Sequence, residues 1–496
     1  MGFDTDVLPS GEIFVGGEWM RGRGADIIST FPADRSLNRV VAGASAEDVE
    51  SAIDRAATAQ AAGWGEAKAQ ERAAVLHRIS DGIAAAVDRI SFIQTRDTGK
   101  TLTETRALAM SAAGTFRYFA SVLETADEDA TVRRADTLTL SLHEPIGLVS
   151  AITPWNSPIA SDAQKVAPAL AAGNAVLLKP ASWSPLVGLE LARIAEAAGL
   201  PKGLLSVLPG AGSIVGEMLV THPAIGRVSF TGGTSVGRGI ARKAAEKLMP
   251  VSLELGGKSP TIVFADADLD LALAGVLFGI FSSTGQSCIA GSRLYVERSI
   301  YERFLDRLVK ATEALVVGHP FDAATQVAPL VHDDHRASVE AFVASGIADG
   351  GEVLAGGARP TGNLYDRGVY YLPTIVAGLP ASAHLVREEV FGPVLTVFPF
   401  DDEEEVVRLG NDNHYGLACG VFTRDTPKAM RVGRRIASGT VWINTYKQFS
   451  ISTPFGGVKE SGVGREKGRN GLFAYMNQKS YYLDLGGRPH PWARIG

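Results

Sequence analysis

Short β-rich runs that alternate with helical segments over residues 146–250 constrain the fold more than any other sequence feature. Four such runs, GLVSAIT, NAVLLKP, LLSVLP and RVSFTGG, are each followed by a segment whose apolar residues have helical spacing. A second series begins near Ser259, with TIVFAD, SRLYVE, HLVREEVFGPVLTVFPF, CGVFTRD and TVWINTY as its strands. Alternation of strands and helices is typical of a parallel sheet with helices on both faces. The sequence therefore predicts an α/β fold with two doubly wound sheets.

The segments before the first series predict a different kind of structure. Residues 46–126 place Ala-rich apolar positions and charges at helical spacing, which predicts amphipathic helices. Residues 131–143 alternate and predict an exposed strand of a hairpin. A chain of 496 residues is too long for one hydrophobic core. We therefore expect two large domains and a small β appendage.

Charge and cysteine content exclude several classes of function. The formal net charge is −6 and no Lys/Arg run occurs, so we expect neither a nucleic-acid partner nor a membrane-surface partner. The two cysteines, Cys288 and Cys419, cannot form a disulfide framework or a multi-cysteine metal site. We therefore expect no metal and a reducing compartment.

The distribution of apolar residues predicts a cytoplasmic protein. The N-terminus has acidic residues where a signal peptide needs basic ones followed by an apolar run. The most apolar stretch, from Leu269 to Ile280, is shorter than the roughly 20 residues of a membrane span. It predicts a buried helix instead.

Two glycine clusters follow predicted strands of the first series. GAGSIVG at 210–216 and GGTSVG at 232–237 each lack the G-x-G-x-x-G spacing, and either alone is equally typical of a tight turn. Both lie at carboxyl ends of strands in one predicted sheet, where doubly wound folds bind ligands. The helix after Thr234 would offer free backbone N–H groups to a phosphate. Together they predict a dinucleotide site.

Cys288 is the better candidate for a chemically active thiol. A lone cysteine is usually a small core residue. Cys419, in GLACGVF, has strand-like apolar neighbours and fits that interpretation. Cys288 lies in a Gly/Ser/Gln loop between Gly285 and Gly291, which would expose a thiol and bring backbone amides close to a substrate.

Two polar residues are candidates for the partners of this thiol. Glu254 lies between Leu253 and Leu255, where burial would raise its pKa and suit it to proton transfer. Asn156 lies in a turn between two prolines and, taken alone, is equally typical of a turn asparagine.

With these residues in place, the chain resembles the NAD(P)-dependent aldehyde dehydrogenase superfamily. The resemblance runs from FVGGEW at 14–19 to KSYYL at 479–483, with the motifs in family order and spacing. Those motifs are TPWNSP, LLKPAS, FTGGTSVG, LELGGKSP, GQSCIAGSR, EEVFGPV, NDNHYGLA and PFGGVKESGVGRE.

The resemblance implies a role for each residue of the thiol chemistry. Cys288 would attack the aldehyde carbonyl to form a thiohemiacetal, whose oxyanion would be bound by the Asn156 amide and the Cys288 N–H. Loss of a hydride to the nicotinamide would leave a thioester. Glu254 would activate the water that hydrolyses it. Lys165 and Glu466 would relay the proton away from Glu254.

The resemblance also implies the cofactor residues. Lys179 would bind the adenosine ribose, Glu389 the nicotinamide ribose, and Phe391 would pack beside it. The remaining predicted cofactor residues are Thr153, Trp155, Ser182, Gly212, Phe230, Gly232, Gly233, Thr234, Gly237 and Leu255. Family members often carry Glu where this chain has Ser182, and Ser leaves room for a 2′-phosphate, so NAD and NADP both stay open. Gly233 replaces a serine hydroxyl, but backbone N–H groups can still bind the pyrophosphate.

The predicted substrate tunnel departs from the family pattern. Gln164 stands where succinic-semialdehyde-type members carry Arg, which disfavours that substrate. We expect a roomy, partly polar tunnel for an uncharged aldehyde that is bulky or hydroxylated. Its predicted lining is Ser157, Ala160, Ser161, Gln164, Ser287, Ile289, Phe449 and Phe455.

The resemblance further implies the division into domains. Residues 1–126 and 148–255 would form the Rossmann-like NAD(P)-binding domain, and 256–445 the Rossmann-like catalytic domain. Residues 446–477 would return to the cofactor domain. The segments 127–147 and 478–496 would pair across subunits of a homodimer or homotetramer, since an exposed alternating strand needs a partner.

Three other functions remain open. A CoA-acylating semialdehyde dehydrogenase is disfavoured because such relatives generally lack the base at Glu254. A thiol esterase would leave the cofactor motifs unexplained. A structural or binding protein that kept the fold and lost the chemistry is disfavoured because Asn156, Glu254 and Cys288 are all intact.

Overall fold

The computed structural model describes residues 5–134, 136–487 and 492. The strands within these residues are β1 (Ile13–Val15), β2 (Glu18–Met20), β3 (Asp26–Thr30), β4 (Leu37–Ala42), β5 (Asp129–Arg134), β6 (Thr137–Pro145), β7 (Leu148–Ile152), β8 (Ala175–Lys179), β9 (Leu205–Val207), β10 (Ile225–Thr231), β11 (Val251–Glu254), β12 (Pro260–Val263), β13 (Arg293–Glu297), β14 (Glu352–Ala355), β15 (Thr374–Ala377), β16 (Val394–Phe400), β17 (Ala418–Phe422), β18 (Thr440–Ile443), β19 (Gly462–Val463) and β20 (Met476–Asp484).

The α-helices within the same residues are α1 (Ala46–Ala61), α2 (Ala69–Ala85), α3 (Val87–Thr98), α4 (Leu102–Glu124), α5 (Pro158–Ala171), α6 (Leu186–Ala197), α7 (Glu217–Thr221), α8 (Thr234–Glu246), α9 (Leu269–Phe281), α10 (Tyr301–Glu313), α11 (Asp333–Ala348), α12 (Asn363–Asp366), α13 (His384–Arg387), α14 (Glu403–Asn411), α15 (Thr426–Arg435) and α16 (Asn470–Phe473).

The first series of strands forms one sheet, in the order β19-β11-β10-β7-β8-β9-β1-β2. The five central strands, β11-β10-β7-β8-β9, are parallel, and antiparallel strands lie at both edges. Strand order reverses between β7 and β10, so the crevice beyond their carboxyl ends is a topological switch point. This confirms the first predicted doubly wound sheet.

The second series forms a seven-stranded sheet, in the order β14-β15-β16-β13-β12-β17-β18. All strands except β14 are parallel, and the order reverses at β12, which confirms the second doubly wound sheet. The strand predicted over HLVREEVFGPVLTVFPF is wrong in its first part. Residues His384–Arg387 are helical, and the strand begins only at Val394. Phe391, with φ of 56°, and the Gly392-Pro393 pair interrupt the extended backbone before it.

A small antiparallel sheet has the order β20-β6-β5. The segment predicted as one strand over 131–143 contains the turn of the hairpin, at Asp136. The C-terminal strand β20 pairs with β6 of the same chain, from Met476 opposite Pro145 to Asp484 opposite Thr137. The two segments expected to pair across subunits therefore pair with each other. Residues 488–491 and 493–496 of the predicted oligomerisation tail lie outside the described residues.

Helices α1–α4 confirm the helical prediction for residues 46–126. The apolar segment from Leu269 to Ile280 is helical, as predicted, but it is only partly buried. Leu271 and Phe278 are 48% and 50% exposed, because α9 covers the second sheet with one face only. In the described ranges, no helix is both long and apolar enough to cross a membrane.

Candidate active site

A cleft of about 630 Å³ lies at the switch point of the first sheet. One wall follows the carboxyl end of β7 from Ile152 to Asn156, and another is formed by the beginning of α8. Glu254, at the end of β11, and Cys288 line the same cleft. Three residues from distant parts of the chain, Asn156, Glu254 and Cys288, thus meet in one cavity.

The loop that carries Cys288 has a constrained backbone. Ser283, Thr284 and Gly285 all have φ between 55° and 68°, a left-handed conformation that is unfavourable for a β-branched residue. The Thr284 hydroxyl donates to the Ala328 carbonyl at 2.8 Å, which holds the turn. A Cβ on Gly285 would lie 2.0 Å from the Gly392 carbonyl oxygen, so only glycine fits there.

Cys288 is half-buried. Burial and the carboxylates of Glu389 and Glu254 raise the pKa of its thiol to about 12. The thiol is therefore protonated at neutral pH and needs a base before it can attack. The other thiol, Cys419, is fully buried in β17, as its strand-like neighbours predicted.

Asn156 lies four residues after the end of β7, and its side chain points towards the thiol loop. Its side-chain Nδ2 donates to the Gln286 carbonyl oxygen at 3.0 Å, two residues before Cys288. The amide of Asn156 and the backbone of the thiol loop are therefore neighbours.

Glu254 is the last residue of β11 and is 4% exposed. Neither carboxylate oxygen has a hydrogen-bond partner among the residues that the structure describes. Burial, together with the nearby negative charge of Glu466, raises the pKa of Glu254 well above its ordinary value. This confirms the predicted burial and the direction of its effect, and it leaves the group free to accept or donate a proton.

Behind Glu254, a buried network surrounds Glu466. The Lys165 ammonium forms an ion pair with the Glu466 carboxylate and donates to the Ser229 hydroxyl at 3.0 Å. Ser229 donates to the same carboxylate at 3.0 Å, and the Gln164 amide also donates to it. Gln164, predicted to line the substrate tunnel, therefore directs its amide to Glu466.

Most of the predicted cofactor residues line the cleft. Those that do are Thr153, Trp155, Lys179, Gly212, Phe230, Gly232, Gly233, Leu255, Glu389 and Phe391.

Ser182, Thr234 and Gly237 were predicted for the cofactor site but do not line the cleft. Ser182 lies beside it, with its hydroxyl 3.5 Å from the Gly210 carbonyl oxygen. The Thr234 hydroxyl accepts from the Gly256 N–H at 3.3 Å. Gly237 lets α8 pack closely, since a Cβ there would lie 2.4 Å from the Leu255 side chain.

The two ends of the cleft differ in charge. Lys179 is 6% exposed, its ammonium donates to the Pro180 carbonyl at 3.3 Å, and burial lowers its pKa to about 8. At the other end, Glu389 accepts from the Gly257 N–H at 2.9 Å, and burial raises its pKa to about 7. The Phe391 ring meets Trp155 edge-on at 5.2 Å.

The predicted tunnel residues fall into two groups. Ser157, Ala160, Ser161 and Gln164 share the one half-buried face of α5, while the residues between them are buried. The other group lies around the thiol. Ser287 is half-buried, whereas Ile289 is 5% exposed and packs into a cluster with Trp442. Phe449 is 48% exposed and meets Phe455 edge-on at 5.4 Å.

Sequence reasoning missed several residues of the site. Lys467 follows directly on the PFGGVKESGVGRE motif, and its ammonium lies over the rings of Phe449 and Phe455. Lys447 has its ammonium on the Ser282 hydroxyl at 2.8 Å. Lys243 and Glu217 form an ion pair in the wall of the cleft. A lysine outside a recognised motif has no local signal, because most lysines are solvated surface residues.

The comparisons with known proteins all find members of one family. Residues 19–481 match the model of the "Aldehyde dehydrogenase family". A betaine aldehyde dehydrogenase of Bacillus subtilis (strain 168) is 39% identical over 476 residues, which cover 95% of this chain and 96% of that protein.

Solved structures agree over the whole chain. The crystal structure of betaine aldehyde dehydrogenase from Staphylococcus aureus in complex with NAD+ has a TM-score of 0.96 and 35% identity, and covers 100% of this chain and 99% of that one. A mutant aldehyde dehydrogenase from Bacillus cereus has a TM-score of 0.93 and 35% identity, over 96% and 97% of the two chains.

Proposed function

This chain belongs to the aldehyde dehydrogenase family, and we propose that it oxidises a small aldehyde to a carboxylic acid through a thioester on Cys288. The reaction class is that of the family. One observation supports these residue roles above all others. Asn156, Glu254 and Cys288 line a single cleft together with most of the predicted cofactor residues.

In the first half-reaction, the Cys288 sulfur bonds to the carbonyl carbon and its proton passes to a base. Glu254 is the suitable acceptor, because it lies in the same cleft and its pKa is raised well above its ordinary value, chiefly by burial. The Asn156 Nδ2–H, which now donates to the Gln286 carbonyl, turns to the new oxyanion together with the Cys288 N–H. Each such donor is typically worth about 2–4 kcal/mol in the transition state.

A bound nicotinamide supplies the acceptor for the hydride that leaves the thiohemiacetal carbon. Loss of that hydride turns the thiohemiacetal into a thioester on Cys288. After Glu254 has released the thiol proton to the network behind it, it removes a proton from the attacking water. The C–S bond breaks, and the leaving sulfur takes this proton from Glu254, so that the acid and the free thiol result. The network of Lys165, Ser229 and Glu466 lies behind Glu254 and provides a path for the proton.

The cleft suits a dinucleotide by its own features. At Gly212 and Gly233 no atom lies within 4 Å of where a Cβ would be, so the backbone there is open to a ligand. Lys179 provides a cation and Glu389 a hydrogen-bond acceptor at the two ends. The apolar side chains between them suit an adenine ring.

We propose NAD as the cofactor, since the relative from Staphylococcus aureus is in complex with NAD+. NADP is accepted as well, because Ser182 carries no charge that would repel a 2′-phosphate and Lys179 supplies a cation. Ser182→Glu should lower kcat/KM for NADP at least about tenfold and leave that for NAD nearly unchanged. Equal effects on both cofactors would contradict this part of the proposal.

Two matched variants test the chemistry. Cys288→Ser should abolish aldehyde oxidation, while NAD+ binding measured by calorimetry is retained. Glu254→Gln keeps the shape of the side chain but removes the base for hydrolysis. Because Glu254 also accepts the thiol proton, single-turnover experiments should then give a slowed burst of reduced cofactor, followed by still slower turnover, with an acyl adduct on Cys288 in mass spectra. A Cys288→Ser variant that still oxidises aldehydes would refute the proposal.

The CoA-acylating alternative predicts a different acceptor for the acyl group. Glu254 favours water, because a buried base beside the thiol serves hydrolysis. With CoA added to the assay, we expect the free acid as the product. Acyl-CoA detected by chromatography would favour the alternative. A burst of reduced cofactor with any simple aldehyde would exclude a catalytically silent protein.

A further inference from the structure

The ammonium of Lys467 lies against two aromatic rings near the catalytic thiol. Its Nζ is 4.3 Å from the centre of the Phe449 ring and 5.4 Å from that of the Phe455 ring. The two rings meet edge-on at 5.4 Å, so the ammonium lies at their shared corner. Cations are attracted to the faces of aromatic rings at these distances.

The backbone holds Lys467 in this place. Lys467 has φ of 60°, a left-handed conformation that is unfavourable for a residue with a side chain. Its neighbour Glu466 exchanges two backbone hydrogen bonds of 2.8 Å with Phe455. On the other side, the Gly468 N–H donates to the Ile451 carbonyl at 2.9 Å. These main-chain hydrogen bonds thus fix the position of Lys467 relative to the Phe455 ring.

This corner belongs to the surroundings of the reacting thiol. Phe455 and Cys288 both pack against the cluster that contains Ile289 and Trp442. Burial lowers the pKa of Lys467, and the negative charges of Glu466, Cys288 and Glu254 oppose this effect, which places all three within electrostatic reach of its ammonium. An aldehyde held at Cys288 would therefore extend its remote group towards Lys467.

Other charged residues near the two rings leave the charge at this corner positive. The Glu466 carboxylate is already bound by Lys165, Ser229 and Gln164. A second lysine, Lys447, has its ammonium on the Ser282 hydroxyl. Its charge also acts on the thiol, since it lowers the pKa of Cys288 against the stronger effects that raise it.

The half-buried face at the beginning of α5, whose Gln164 bonds to Glu466, offers no aromatic ring to a cation. Its half-buried residues are Ser157, Ala160, Ser161 and Gln164. A quaternary ammonium group is normally bound by the faces of several aromatic rings. Here the two rings at the corner already hold the protein's own ammonium. A second cation a few ångströms away would be repelled by this charge.

We propose that Lys467 is a specificity residue, which excludes aldehydes with a positively charged remote group and admits uncharged ones. The proposal rests on the proposed function and refines its substrate class. It sets this chain apart from the relatives named betaine aldehyde dehydrogenases, whose named substrate carries a trimethylammonium group.

A pair of nearly isosteric aldehydes isolates the effect of charge. Betaine aldehyde and 3,3-dimethylbutanal share the branched shape and differ in a nitrogen cation against a neutral carbon. The wild-type enzyme should give a much higher kcat/KM for the neutral aldehyde. Lys467→Met should raise kcat/KM for betaine aldehyde at least about tenfold, which corresponds to about 1.4 kcal/mol, and change that for 3,3-dimethylbutanal less than about threefold.

Lys467→Arg is the matched control, because it keeps the charge at the same rings. It should keep the preference of the wild type, and NAD+ binding to each variant shows that the protein is folded. An equal rise for both aldehydes in Lys467→Met would overturn the proposal, since it would mean that only space had changed. If no variant oxidised the neutral aldehyde or any other aldehyde, the proposed function itself would fail.

Discussion

At the scale of single residues, the resting state of Cys288 is open to measurement. Burial and the carboxylates of Glu389 and Glu254 raise the pKa of the thiol to about 12. Because the thiolate is the form that reacts, alkylation by iodoacetamide should be much slower at pH 7 than that of free cysteine. Its rate should rise about tenfold per pH unit up to about pH 10.

The variant Cys288→Ser is the control for this measurement. It should take up no label under native conditions, since Cys419 is fully buried. A rate that reaches a plateau below pH 8 would show a thiolate that is stabilised in the free enzyme, contrary to this prediction.

Residues with a strong local context could be predicted from sequence, and residues defined by tertiary contacts could not. Glu254 between two leucines predicted burial and a raised pKa, and both are found. Ser182 lies beside the cleft rather than in its wall, a difference of one residue that a motif does not resolve. Lys467 depends on a left-handed backbone and on rings 12 and 18 residues away along the chain. No local pattern predicts such a contact.

At the scale of elements, the beginning of α4 supports the thiol loop. Thr101 and Glu104 form a capping box, in which each side chain accepts from the other's backbone N–H at 3.3 Å. Glu104 also accepts from the N–H and the hydroxyl of the left-handed Ser283. The helix start thereby holds the strained turn that leads to Cys288.

Glu104→Ala should therefore lower both the free energy of unfolding and kcat. The lost cap is worth about 1 kcal/mol, and the unsupported turn should lower kcat about tenfold or more, because small displacements of a nucleophile are costly. Thr101→Ala removes the cap but keeps the contact with Ser283. Chemical denaturation should give similar destabilisation in both variants, and the loss of kcat should be confined to Glu104→Ala. A similar loss in both would assign the effect to the cap alone.

A buried carboxyl joins three elements of the N-terminal region. Asp97, near the end of α3, accepts from the Ser29 hydroxyl of β3 at 2.7 Å and from the Leu186 N–H of α6 at 2.9 Å. Burial raises its pKa to about 7. The folded state therefore binds a proton that the unfolded state, with a carboxyl pKa near 4, has already released. The contribution of the Asp97 carboxyl to the free energy of unfolding is fully present below pH 4 and is lost as the pH rises through 7.

Asp97→Asn removes this dependence, because the amide stays neutral and Ser29 can reverse its hydroxyl to accept from it. Relative to the wild type, the variant should gain about 1 kcal/mol or more of unfolding free energy between pH 5.5 and pH 8. Urea denaturation at the two pH values measures the difference. A constant difference between the two proteins at both pH values would contradict the assigned pKa.

Strands and helices whose apolar residues recur with a clear period were predicted from the sequence, whereas the shortest strands were not. Four of the five central parallel strands of the first sheet, β7, β8, β9 and β10, are mostly buried runs that were predicted, whereas β11 was not predicted as a strand. The edge strand β14 and its neighbour β15 have only four residues each, too few to show a period. In EEVFGPV the apolar residues suggest a strand, but Gly392 and Pro393 delay it to Val394.

At the scale of the whole molecule, the small sheet β20-β6-β5 exposes apolar residues that an isolated subunit has no reason to expose. Tyr482 is 77% exposed and Val132 69%, and Leu485, directly after β20, is 60% exposed. Both outer strands also have a free edge among the described residues, which favours pairing with another chain. We therefore propose that this sheet joins subunits in a homodimer or homotetramer, although its two segments also pair within one chain.

Charges placed on this sheet should separate the subunits. Tyr482→Glu combined with Leu485→Glu puts like charges opposite each other across a symmetric contact, which is unfavourable. Light scattering after gel filtration should give the mass of a dimer or tetramer for the wild type and 52.2 kDa for the double variant. Leu248→Glu is the matched control, because Leu248 is 90% exposed after α8, outside this sheet, and its replacement should leave the mass unchanged. A wild-type protein that stays at 52.2 kDa at micromolar concentration would refute the assembly.

Since the catalytic cleft lies in one chain, the separated subunit should still release the burst of reduced cofactor with an uncharged aldehyde.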